Sequence, residues 1–171
     1  MIGFIGAGLF SGWLFFSINI KKINIVEYLD NEREKLMHPN NWRRITLSRA
    51  WTAEVPNEAG VYPIKEGDKL VYVGETGNLR GRMNDLLDSR HHTLRRTIGH
   101  KLFADLEGYL PATTKKKFPS HIEVKVNEHI HNNLSSAFLK VALGRKELEE
   151  LIETQIELEV RLNKRGKRKT I

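Results

Sequence analysis

Apolar positions change their spacing several times along the chain, and each change marks an element. The first 20 residues, MIGFIGAGLFSGWLFFSINI, carry no charge. In NIVEYLDNEREKL, Ile25, Val26, Leu29 and Leu36 recur at helix-compatible spacing until Pro39 and the Asn residues after it break the pattern. From Gly60 the period shortens: VYPIK and KLVYVGE are β-branched and aromatic runs separated by the turn cluster Glu66-Gly67-Asp68, which predicts a β-hairpin. Asn78 can then cap a helix through LRGRMNDLLDSR, with Leu79, Met83, Leu86 and Leu87 on one face. A second helix is expected over TLRRTIGHKLFADL, a loop over Pro111 and ATTKKKFPS, and another helix where Ile122, Val126 and Ile130 recur every four residues. AFLKVAL reads as a third strand. After Gly144, RKELEELIETQIELEV sets Leu148, Leu151, Ile152 and Ile156 along one stripe of a final long helix. The sum is an α+β chain: a small central three-stranded antiparallel sheet flanked by helices, with an N-terminal helical extension.

Length and charge narrow the picture. A chain of 171 residues holds one domain with a proper core plus an extension. Lys and Arg outnumber Asp and Glu by 28 to 21, an excess that suits a polyanionic partner, nucleic acid or an anionic membrane face, although a merely soluble basic protein shows it too. Cysteine is absent, which excludes disulfides, thiolate metal sites and a cysteine nucleophile. Any catalytic metal must be held by oxygen or imidazole.

As a helix, residues 1–20 would span roughly 30 Å, about the hydrocarbon thickness of a bilayer. They read as a membrane anchor, as a buried helix, or as the product of an upstream start codon. Lys21 and Lys22 follow at once, and the positive-inside tendency would then leave the rest of the chain cytoplasmic, tethered to the inner face of the membrane. Gly8 and Gly12 add a weak GxxxG spacing, and a secretory signal is disfavoured because no basic region precedes the apolar stretch. Trp42 and Trp51 bracket Arg43, Arg44 and Arg49; this reads as a DNA-facing patch or, preferably, as packing.

The hairpin carries the most specific signal. Gly60-Val61-Tyr62 is followed, ten positions from tyrosine to tyrosine, by Tyr72-Val73-Gly74, which opens the stretch YVGETGNLRGRM and places Arg82 eight residues after Gly74. This ordered set resembles the GIY-YIG endonuclease superfamily over about residues 57–165. The resemblance does not cover the N-terminal 50 residues; with the residue pattern it divides the chain into an apolar segment (1–22), a helical lead-in (23–56), a nuclease domain (57–165) and a basic tail (166–171). It implies a metal-dependent enzyme that hydrolyses DNA phosphodiester bonds with one divalent ion, Mg²⁺ or Mn²⁺. Tyr62 would activate the water and Tyr72 assist it. Arg82, selected over Arg80 by family spacing, would clamp the scissile phosphate. Glu149, with Ile152 and Asn163 behind it, would hold the metal, and Asn163 would hold substrate or the active-site loop or else cap a helix.

The residue chemistry agrees with this assignment. Phosphodiester hydrolysis needs a proton taken from water, neutralisation of charge on the phosphate and stabilisation of the leaving oxygen. A tyrosine ionises near pH 10, so it needs a cation beside it to act as a base. A guanidinium fork matches phosphate oxygens, and two helical arginines two residues apart point about 160° from one another, so only one can face the site. Mg²⁺ is satisfied by one or two protein carboxylates. Glu147, Glu150, Glu153, Glu157 and Glu159 compete with Glu149 on the same segment, with Glu153 and Glu150 next in order. Many family members carry a His one turn after the motif Arg; here that position is Leu86, which makes His91 and His92 the candidates for proton relay or phosphate ligand. They also fit the C-terminal end of the preceding helix, where imidazolium complements the dipole. Arg95, Arg96, Lys101, Lys115, Lys116, Lys117 and the tail from Arg161 to Lys169 form the expected phosphate-contacting surface. The alternatives from other classes are a catalytically silent nucleic-acid-binding module and a membrane-associated basic adaptor.

Overall fold

The computed structural model describes residues 24–163. Helix α1 (Ile25–Met37) starts where Asn24 accepts the Val26 N–H and stops before Pro39, as Pro39 fixes a 3₁₀ turn. Strand β1 (Arg43–Arg44) and a short helix α2 (Arg49–Glu54) complete the lead-in. The hairpin follows as β2 (Gly60–Glu66) and β3 (Lys69–Thr76), then helices α3 (Leu79–Asp85), α4 (Thr93–Phe103) and α5 (Ser120–Asn133). Strands β4 (Leu134–Ser136) and β5 (Leu139–Lys140) and helix α6 (Arg145–Glu153) close the chain. Gly67 turns the hairpin with a left-handed φ of 58°, a conformation that excludes most side chains.

All strand pairs are antiparallel, in the order β1-β4-β2-β3, with β5 also on β2. The two sheet faces bury different residues because side chains alternate along a strand. Tyr62, Ile64 and Tyr72 join the core formed with Leu79, Met83, Leu94, Ile98, Ile122 and Val126 of α3, α4 and α5. Val61 and Val73 point the other way, into a second cluster with Leu36 of α1 and Leu148 and Ile152 of α6.

Three expected elements change in the structure. The third strand does not run through AFLKVAL; β4 precedes it and β5 holds only its middle. Between them stands Pro63 on β2, which has no N–H to give the ladder, although its carbonyl still accepts the Ala137 N–H (3.4 Å) and the Ser136 hydroxyl (2.9 Å), and β4 and β5 keep one register on β2. The final helix ends at Glu153 instead of Val160, where Arg161 donates to the Glu153 and Ile156 carbonyls and so satisfies the helix end. The chain thus folds back along the free edge of β3, where the Leu162 N–H meets the Val71 carbonyl at 2.8 Å. Helix α3 likewise stops at Asp85, short of the expected Arg90.

Among the described residues no helix is long and apolar enough to cross a membrane. The apolar segment 1–20 and the basic tail 166–171 lie outside the described residues.

Candidate active site

The hairpin register pairs Tyr62 with Gly74 and Ile64 with Tyr72, which places both tyrosines on one face of the sheet. Their ring centroids are 6.0 Å apart. Tyr62 is fully buried and its ring lies across Gly74: a Cβ at that glycine would stand 2.6 Å from Tyr62 Cζ and Oη. The last residue of the second signature is therefore a glycine because the first signature's phenol occupies its side-chain space.

Helix α3 brings Arg82 to this phenol. Asn78 caps the helix by accepting the Gly81 N–H at 2.8 Å, and one turn on, Arg82 Nε donates to Tyr62 Oη at 3.1 Å. Arg80 points elsewhere, as the helix period requires, and its Nε donates to the Val55 carbonyl. Burial opposes the charge on Arg82, but the phenol oxygens of Tyr62 and Tyr72 outweigh it and raise the guanidinium's pKa.

His92 supplies the third member. Its Nδ1 accepts the Leu94 N–H (3.2 Å) and so caps α4, while its Nε2 lies 3.2 Å from Tyr62 Oη. Because Nδ1 is occupied as an acceptor, the neutral ring must carry its proton on Nε2, and Nε2–H donates to the phenol. Burial, then the charges of Arg82, Arg96 and Arg95, hold the imidazole well below its ordinary pKa, so the neutral form is the one present near pH 7. Tyr62 Oη thus receives two N–H donors. Burial and the neighbouring Tyr72 nevertheless raise the Tyr62 pKa well above 10.0, against the lowering effect of Arg82. The phenol is held protonated in this environment and gains its anionic form only with further positive charge nearby.

The two histidine candidates separate here: His91 is exposed, whereas His92 is buried against Tyr62 and Tyr72. Leu86, at the position one turn after Arg82, is fully buried in the core. His92 reaches the phenol from the N-cap of the next helix, and neither histidine sits at the end of α3 to complement its dipole.

Asn163 neither caps α6 nor lies free for substrate. Its side-chain amide reads the edge of β3, accepting the Val73 N–H (3.1 Å) and donating to the Val73 carbonyl (2.7 Å). It braces the middle residue of the Tyr72-Val73-Gly74 signature. Glu149 is half-buried on α6, whose Leu148 and Ile152 pack on the sheet face opposite Tyr62. It lies four residues after Arg145, whose Nε is 3.3 Å from Glu75 of β3, so Glu149 shares the helix face that meets the end of the signature strand. Glu153, its rival, is paired with Arg161. Among the described residues no three His, Asp or Glu converge to cage a metal. A donor set of one carboxylate with solvent and phosphate oxygens suits a hard ion such as Mg²⁺ or Mn²⁺.

Of the expected phosphate ligands, Arg95 is a correction. It is 1 % exposed and donates to Glu123, Asn127 and the Leu86 carbonyl, so no phosphate can reach it. Arg96 is half-committed to the Ser89 and Arg90 carbonyls and Thr93, and Lys101 to the Glu159 carbonyl. Lys115 and Lys116 are exposed, while Lys117 joins Arg90 on Asp88. Those two cations hold the Asp88 carboxyl far below the usual range, the Arg90 hydrogen bond contributing most. The sequence carries no sign of the Arg95–Glu123–Ser89 network, in which Glu123 accepts from both Arg95 and Ser89 and so ties the 86–92 loop to α5. No local spacing signals it, since Glu123 lies 28 residues from Arg95.

Residues 42–170 match the family model of the GIY-YIG catalytic domain. Searches of curated proteins and of solved structures returned no match. With both signatures paired in one hairpin, Arg82 on Tyr62 and the model matching most of its length, this chain belongs to the GIY-YIG catalytic domain family, and its activity is of the nuclease type.

Proposed function

We propose that the chain is a metal-dependent endonuclease that hydrolyses DNA phosphodiester bonds with a water activated at Tyr62. The observation that carries this reading is the convergence of Arg82 Nε–H and His92 Nε2–H on Tyr62 Oη. Two donors on one oxygen stabilise its anion and fix its position, which is what a phenol needs in order to take a proton from water. Arg82, always charged, offers its remaining N–H groups to a phosphate oxygen as negative charge grows there. With Tyr62 ionised, the attacking water oxygen bonds to phosphorus while its proton passes to the phenolate, and the bond to the leaving oxygen breaks, that oxygen departing as an alkoxide that takes a proton from solvent. Glu149 would hold the divalent ion. That ion, when bound, would supply positive charge that lowers the pKa of nearby O–H groups and neutralises the phosphate.

The net charge of +7 and the exposed Lys115 and Lys116 support a polyanionic substrate. Residues 1–20 would tether the domain to the cytoplasmic face of a membrane. Removal of those residues should then release the protein from a membrane fraction and leave cleavage intact.

The decisive experiment is plasmid nicking with Mg²⁺, Mn²⁺ or EDTA. Wild type should cut with metal and stop with chelator. Tyr62→Phe removes only a hydroxyl and should lower cleavage by roughly 10²-fold or more. Glu149→Gln should abolish it by removing the carboxylate charge that would hold the metal. Wild-type rates in folded Tyr62→Phe would overturn the mechanism.

A further inference from the structure

One feature of the lead-in region shares no lining residue with the tyrosine site. Beside α2 lies a cleft of about 290 Å³ whose lining includes Trp51 and Phe138 with Asn40, Asn41, Arg43 and Glu54 around them. The two rings are 6.3 Å apart and tilted by 55°; Trp51 is 8 % exposed and Phe138 half-buried, so Phe138 presents the more accessible ring. Arg43 and Glu54 are exposed, and among the described residues neither has an ion-pair partner.

These parts match the needs of one ligand class. An unpaired nucleotide requires an aromatic surface for its base, amide or carboxylate groups for the base edge, and a cation for its phosphate. The cleft is also joined to the helix of the phosphate clamp. Its Val55–Pro56 wall accepts both the side-chain Nε and the backbone N–H of Arg80, two residues from Arg82, and Thr52 bonds Asn84. We infer that this cleft is a nucleotide-binding subsite that seats an unpaired base against Trp51 and Phe138, with Arg43 on its phosphate. The inference rests on the nuclease reading for its choice of ligand. It makes the Trp51 and Arg43 region, expected mainly to pack, both packed and ligand-facing.

The test uses the full chain carrying Tyr62→Phe, so that substrate is not consumed, and measures anisotropy of a labelled single-stranded oligonucleotide against a blunt duplex. Arg43→Ala, at an exposed position, and Phe138→Leu should each weaken single-strand binding by at least roughly 5-fold, the lower end of what base–aromatic stacking supports, and change duplex binding less. Retained folding is checked by circular dichroism. Wild-type nicking is run in parallel. If wild type nicks plasmid but both variants bind the single strand as tightly as their parent, the subsite is refuted and the nuclease reading stands. If wild type does not nick with either metal, the nuclease reading fails, while a selective loss of single-strand binding still supports the subsite. Equal losses for single strand and duplex would also overturn it.

Discussion

Arg95→Met should destabilise the protein by about 3 kcal/mol, the lower end of the cost of breaking a buried ion pair from one side. Methionine keeps an apolar stem of similar length, so the loss comes from the charge and its bonds. Arg95 is 1 % exposed and Glu123 is 17 % exposed; the pair closes at 2.5 Å, with further bonds to Asn127 at 2.6 Å and the Leu86 carbonyl at 3.2 Å. Removing the guanidinium leaves Glu123 with Ser89 and leaves the Leu86 carbonyl, at the end of α3, without its side-chain donor. Two features keep the figure low: Glu123 retains some solvent, and Arg95 Nε has no partner among the described residues. At about 2–4 °C per kcal/mol for a chain of this size, Tm should fall by about 10 °C. Urea unfolding followed by circular dichroism measures the difference. The double variant Arg95→Met/Glu123→Leu should recover much of it, because a buried pair exchanged for apolar groups is often neutral. A single variant within about 1 kcal/mol of wild type would refute the claim that this pair anchors the 86–92 loop.

Three further outcomes follow from the site. Arg82→Ala should reduce cleavage by about 10²- to 10³-fold, whereas Arg80→Ala, whose side chain reaches only the Val55 carbonyl, should stay within a few-fold; equal effects would contradict the helix register. Gly74→Ala should lower both Tm and cleavage, since its Cβ would meet the Tyr62 ring at 2.6 Å, while Gly77→Ala, with nothing within 4 Å, should not. Because His92 is held below its ordinary value of 6.5, the unfolded chain binds its proton more readily. Its contribution to stability is complete above about pH 6.5 and erodes as pH falls below that value. Urea midpoints between pH 7.5 and 5 should therefore drop more steeply for wild type than for His92→Gln, and parallel slopes would mean that His92 titrates normally.

Local order in the sequence determined the hairpin and its polar turn, since period-two alternation is written in neighbouring residues, whereas both tyrosines share one face only because the register shifts between Ile64 and Lys65. Local order likewise determined the Asn78 cap and the opposition of Arg80 and Arg82, which the helix period alone dictates. Tertiary structure decided the rest, and each case turns on a contact distant in the chain. His92 was separated from His91 only when its Nδ1 became the cap of α4 and its Nε2 met Tyr62, 30 residues earlier. Arg95 looked like surface charge because nothing nearby in sequence names Glu123 as its partner. The long glutamate-rich helix was cut short by Arg161 and by the return of the chain to β3, where Asn163 meets Val73 across 90 residues. Periodicity records which side of an element is buried; what a polar side chain bonds depends on which distant segment arrives beside it, and that is settled only when the layers pack.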